Sequence, residues 1–159
     1  MGRLKNLRAF IANELRNMED TDKRDSALLH LNGVSLAATL LAEKRGLDSE
    51  LAAMAGLLHD MAAYRSGSYD DHAHRGADYA RDVLRAMGET TEDEIDQICS
   101  MIYHHDDKQV IDSPLDEVLK DADVIHHCFN DLSKPVKDKE KARFNALIEE
   151  LGLTTQPLE

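Results

Sequence analysis

LAAMAGLLHD, residues 51–60, is the stretch on which the fold turns. Asp48 stands before it as an N-cap, and Glu50 places negative charge in the first turn, where the helix dipole favours it. The apolar run therefore predicts a buried helix that carries its burial straight into the adjacent pair His59 and Asp60.

Helical spacing continues on both sides. Leu4, Leu7, Ile11, Leu15 and Met18 predict an amphipathic helix over residues 3–18, followed by a polar break at 19–22. After Asp25, the residues Ala27, Leu31, Val34, Ala38 and Leu41 share one stripe until Gly46 stops it, and His30 lies in line with Val34, Ala37 and Leu41. Beyond the doublet, YRSGSYDD (64–71) lacks periodicity and is expected to be a loop. Ala73, Ala77, Ala80, Leu84 and Met87 then predict a helix over 72–87 with His72 in its first turn. Thr91 and Glu94 form a capping box for the next helix, on which Ile95, Ile98, Ile102 and His105 point at the core. Ser113 and Pro114 open a helix bearing Leu115, Leu119, Ala122, Ile125 and Phe129, with Asp123 one turn beyond Leu119. A last helix, 138–151, ends at Gly152 before a tail, 152–159, expected to fray. No strand pair or repeat emerges. The expectation is an all-α chain, one domain built as a bundle of about six to seven helices, with its core over about 25–130 and both terminal helices packed on it.

Charge narrows the function. Nineteen Lys and Arg against 31 Asp and Glu give a net charge of -12, which repels a polyanion and argues against long nucleic acid as a partner. Cys99 and Cys128 form no CxxC pair, so neither a disulfide framework nor a thiolate zinc site is expected, and a reducing cytoplasm fits. The N-terminus lacks a signal-peptide core, Asn6 stands where a myristoylation motif needs Ser or Thr, and no apolar run approaches a membrane span.

Polar side chains at core-facing positions cost several kcal/mol unless something compensates them. Imidazoles and carboxylates recur at such positions on separate helices here, and without thiolates that donor set suits Fe, Mn, Co, Ni or Zn. The order His30, His59-Asp60, then Asp123 in LKDADVI resembles the H…HD…D pattern of the HD phosphohydrolase superfamily over roughly residues 25–130. Asp121 competes with Asp123 on geometry, and the family pattern selects Asp123. His72, four residues before Gly76-Ala77, and the doublet His104-His105 resemble the additional histidines of the binuclear branches, which include HD-GYP phosphodiesterases and diadenosine tetraphosphate hydrolases.

The resemblance implies two divalent ions, Fe or Mn foremost with Zn, Ni, Co or Mg as alternatives. His30, His59, Asp60 and Asp123 would take one ion, while His72, His104 and His105 would take the other and share Asp60. Two cations about 3.5–4 Å apart would activate a bridging hydroxide for attack at phosphorus, which makes Asp60 the catalytic bridge. The implied substrate is a small phosphate ester or anhydride, in particular a nucleotide. His104 and His105 point about 100° apart on an ideal helix, so both can ligate only where the helix ends or distorts. His126 and His127 are expected to serve packing or to support ligands from behind.

The chain also departs from HD-GYP proteins, having Ala63 where they carry a Lys and no GYP after His105. Arg65 or Arg75 is expected to supply the missing phosphate-binding cation, and His74, the competitor of His72, to touch substrate. Two other readings stay open: a di-iron oxygenase of the same fold, and a catalytically silent metal-binding sensor.

Overall fold

The structure, a computed structural model, describes residues 2–158. Among these, eight α-helices and one short 3-10 turn follow one another, and no strand forms: α1 (Arg3–Arg16), α2 (Thr21–Arg45), α3 (Ser49–Leu58), α4 (Met61–Ser66), α5 (His72–Met87), α6 (Glu92–His104), α7 (Pro114–Phe129), the turn Asp138–Glu140 and α8 (Lys141–Leu151). The expected all-α bundle is present, with two shifts in its elements. Asp20 caps α2 by accepting from the Lys23 N–H, so that helix starts earlier than Asp25. Residues 64–66, expected in a loop, continue as the end of α4, whose apolar face Met61, Ala62 and Ala63 is buried.

The helix α3 is the axis of the bundle. All eight residues Leu51–Leu58 are buried because α1, α2, α6 and α7 surround it, which explains why the segment has no polar face. Gly56 is required at the closest approach: a Cβ there would lie 2.7 Å from the Cα of Ser35 on α2. Ser35 Oγ donates to the Ala53 carbonyl at 2.9 Å across the same contact. Helices α5 and α6 form an antiparallel pair on one side, and α7 lies along α2 on the other.

The capping box at Thr91/Glu94 and the cap at Ser113 form as expected, Asp116 completing a second box, and they fix where α6 and α7 begin. Between those helices the chain is irregular, and a buried and a partly buried cation hold it. Lys120 Nζ donates to the Val110 carbonyl at 2.7 Å and to Asp112 Oδ2 at 2.6 Å, while Arg143 of α8 donates to the Lys108 and Val110 carbonyls at 2.7 and 2.9 Å. Beyond α8 the chain turns back, and Asn145 Oδ1 accepts from the Leu158 N–H at 2.6 Å.

Candidate metal centre

Two adjacent residues on one helix diverge by about 100°, yet His59 and Asp60 face the same point. The backbone makes this possible: α3 ends at Leu58, Asp60 leaves helical geometry at φ -108°, ψ 6°, and α4 restarts at Met61. The junction puts Asp60 at the floor of an open cavity of about 590 Å³ lined also by His30, His72, His105, Asp123 and His127, with His59 fully buried beside it.

The two oxygens of Asp60 face different partners. Oδ2 lies 3.3 Å from the Nε2 atoms of both His30 and His59. Oδ1 lies 3.3 Å from His105 Nε2 and 3.5 Å from His72 Nε2. Asp123 Oδ1 closes the first group at 3.3 Å from His30 and 3.6 Å from His59, with His127 Nε2 also at 3.3 Å. Four sets of three donor atoms each lie within 4.8 Å of one another, and between them they draw in these same seven residues.

The imidazoles are oriented from behind. His59 Nδ1 donates to the Gly56 carbonyl at 2.7 Å, His105 Nδ1 to Ile102 at 2.7 Å, and His72 Nδ1 to Tyr69 at 2.9 Å. Each bond fixes the tautomer so that the Nε2 lone pair faces the cluster. His30 Nδ1 meets His126 Nδ1 at 2.8 Å, and Gly33 makes room for that ring, since a Cβ there would stand 2.1 Å from His126 Cδ2. Burial, then the neighbouring His30 and His127, pushes His126 down to about 4, which keeps it a neutral acceptor.

This concentration of lone pairs needs positive charge. Asp60 Oδ1 and Asp123 Oδ1 are buried without a hydrogen-bond partner. Burial pushes His59 down, but the Asp60 carboxylate and then Asp123 outweigh it and hold the imidazole up to about 10. For Asp60, burial is outweighed by His59 and His105, and its carboxyl stays well below the ordinary range. Burial prevails at His105 and lowers it. A proton can serve one of the facing Nε2 atoms, which stand 3.1 Å apart in His30 and His59, whereas a divalent ion serves several donors together. The donor set, all nitrogen and oxygen, fits such an ion.

Five of the expected residues other than Asp60 itself, namely His30, His59, His72, His105 and Asp123, are brought to this point, and others are not. His104 turns outward, its Nδ1 3.6 Å from Asp112 Oδ2, because α6 stays regular through it and only His105 is on the inner face. Asp121 sits between Arg45 (2.7 Å) and Arg143 (3.1 Å), outside the cluster. Arg65 lies over the Tyr79 ring and 3.5 Å from Glu14, away from the cavity. Arg75 ties down the loop before α5 by donating to the Ser68 and Asp70 carbonyls, both at 2.8 Å. His74 stacks on Tyr103 and pairs with Asp71 at 2.8 Å on the outer face of α5.

The expectations missed a cation. Lys108, its side chain 1% exposed, donates to Asp123 Oδ2 at 2.8 Å and to the His105 carbonyl at 2.6 Å. Burial pushes the Asp123 carboxyl up, yet Lys108 and then His30 and His59 hold it well below the ordinary range. No periodicity announces Lys108, because it lies in the irregular chain after α6.

Fold and cluster together define the class, an all-helical member of a metal-dependent hydrolase superfamily. The chain belongs to the HD-domain family, whose model matches residues 28–127. No curated protein and no solved structure is significantly similar to it. Helices α1 and α8 lie outside the matched stretch.

Proposed function

We propose that this protein hydrolyses a small phosphate ester or anhydride, in particular a nucleotide, at a centre of two divalent ions bridged by Asp60. The observation that carries the reading is the division of Asp60: Oδ2 faces His30 and His59, while Oδ1 faces His72 and His105. One ion would be held by His30, His59, Asp60 and Asp123, the other by Asp60, His72 and His105. Fe and Mn are the ions that the family resemblance favours, and mixed imidazole and carboxylate donors accept either. Such ions lower the pKa of water and neutralise charge on phosphoryl oxygens.

The chain's own residues do the rest. Lys108 fixes Asp123 through Oδ2, so Oδ1 alone faces the imidazoles. The cavity has the volume of a small-molecule site. In a chain of net charge -12, its rim gathers Lys134, Lys137 and Lys139. Lys134 and Lys139 have carboxylate neighbours, Asp131 at 3.5 Å and Asp106 at 3.2 Å, whereas Lys137 has none among the described residues. These lysines, rather than Arg65 or Arg75, would attract an anionic substrate. A cytoplasmic setting agrees with two buried free cysteines and with the absence, among the described residues, of a helix able to cross a membrane.

Metal analysis of protein purified without chelator, followed by phosphate release from a nucleotide panel with Mn or Fe added, tests this reading. Two ions per chain and metal-dependent phosphate release are expected. Less than one ion per chain from a fully folded protein, with every cation tried, would falsify it. Oxygen uptake with a polyol and no phosphate release would replace hydrolysis by oxygenation.

A further inference from the structure

His127 was expected to serve packing or to support ligands from behind, and its surroundings are those of a working imidazole. It stands one turn after Asp123 on the same face of α7, with Nε2 3.3 Å from Asp123 Oδ1, the oxygen that has no hydrogen-bond partner. Its ring lies parallel to that of His30, with centroids 5.2 Å apart and an interplanar angle of 6°. Donor atoms of His30, Asp123 and His127 fall within 4.8 Å of one another.

Glu140 supplies the decisive detail. Its side chain is 1% exposed, and among the described residues its only side-chain hydrogen bond accepts from His127 Nδ1 at 2.7 Å. Burying a carboxylate costs several kcal/mol, so a position that buries one against a half-exposed imidazole is spending stability on that ring's orientation. A carboxylate on Nδ1 turns the Nε2 lone pair toward Asp123, which is how metal-ligating histidines are held. The carbonyls behind His59, His72 and His105 do the same with weaker acceptors.

We infer that His127 is a further metal ligand, joining His30 and Asp123, with Glu140 as the carboxylate that positions it. The inference rests on the metal-centre reading above. The H…HD…D order ends at Asp123 and assigns His127 nothing. The competing arrangement is a protonated His127 bridging Glu140 and Asp123, a purely structural chain.

Cobalt(II) titration of the full chain, in the absence of substrate, separates the two. His127→Gln is expected to weaken cobalt binding tenfold or more and to change the visible ligand-field bands. Glu140→Gln should weaken binding about tenfold while leaving the band pattern close to that of the parent protein. If His127→Gln does not fold, Glu140→Gln alone carries the test. Parent-like affinity and bands in whichever variants fold overturn the inference while leaving the metal centre intact. A parent protein that binds no cobalt and no other divalent ion overturns the centre itself, and this ligand with it.

Discussion

The two sides of Asp60 are built to different standards. On the Oδ2 side, His30 and Asp123 lie within α2 and α7, His59 directly follows α3, and Lys108 anchors Asp123. On the Oδ1 side there are two imidazoles, His72 at the first position of α5 and His105 just past the last residue of α6. His72 is oriented by a loop carbonyl, Tyr69, which Arg75 helps to hold through its neighbours. The first side thus has three donors besides Asp60, two of them inside helices and one tied to a buried lysine, whereas the second has two imidazoles at helix ends, so the first should hold its ion tightly and the second should exchange it.

Asp60 belongs to both sides, and its loss should have the largest effect. Asp60→Ala is expected to bring bound metal below one ion per chain and to lower phosphate release by roughly 10³-fold or more, since electrostatic stabilisation of the transition state would go with the ions. Metal analysis alongside a turnover assay checks this. One ion retained at full affinity would show that the sides do not share a bridge.

The inequality between the sides is tested next. Chelator added stepwise should remove metal in two phases separated by at least about tenfold in affinity, a difference of about 1.4 kcal/mol. His105→Ala should abolish the weaker phase and keep the tighter one, and His59→Ala should do more damage than His105→Ala. Equal affinities would break the comparison.

Lys108 gives a smaller effect with a distinctive sign. Removing one partner of a buried ion pair costs about 3–5 kcal/mol, because the other charge is left uncompensated. Lys108→Met should therefore lower the Tm of the metal-free chain clearly. Metal should restore much of the loss, because an ion at Asp123 takes over the compensation. Thermal unfolding with and without added Mn measures the difference. An equal loss in both states would mean that Lys108 stabilises the loop after α6 rather than Asp123.

How much of this was legible depends on periodicity. The helices were readable because caps and stripes are local: Thr91 with Glu94 and Ser113 with Pro114 start α6 and α7 where the spacing placed them. His30, Asp123 and His105 were readable because each shares a stripe with buried apolar residues. The histidine doublets show where that reasoning stops. In His104-His105 only the second turns inward, since α6 holds its pitch to His104, and the resemblance to branches with paired histidines could not reveal that. In His126-His127 both matter to the cluster, one behind His30 and one beside Asp123, and the four-residue step from Asp123 to His127 was a signal available in the sequence. Lys108 and Glu140 lay beyond reach, because they come from irregular chain and a 3-10 turn, where position follows from tertiary packing alone.

The cavity rim offers the smallest effect and the finest test of the substrate claim. If the lysines after α7 attract an anion, Lys137→Ala should raise KM for a phosphate substrate about 1.4- to fivefold, the range expected of an exposed charge worth about 0.2–1 kcal/mol, and kcat should stay close to that of the parent. The difference should vanish as salt rises toward 1 M, where the Debye length falls to about 3 Å. Arg65→Ala supplies the contrast. Its guanidinium is of the same charge, but it is committed to Tyr79 and Glu14 outside the cavity, so neither kcat nor KM should move. An Arg65 effect equal to that of Lys137 would mean that net charge, not placement at the rim, draws the substrate in. A salt-independent loss in Lys137→Ala would point instead to a disturbed loop after α7, with His127 and Glu140 displaced along with it.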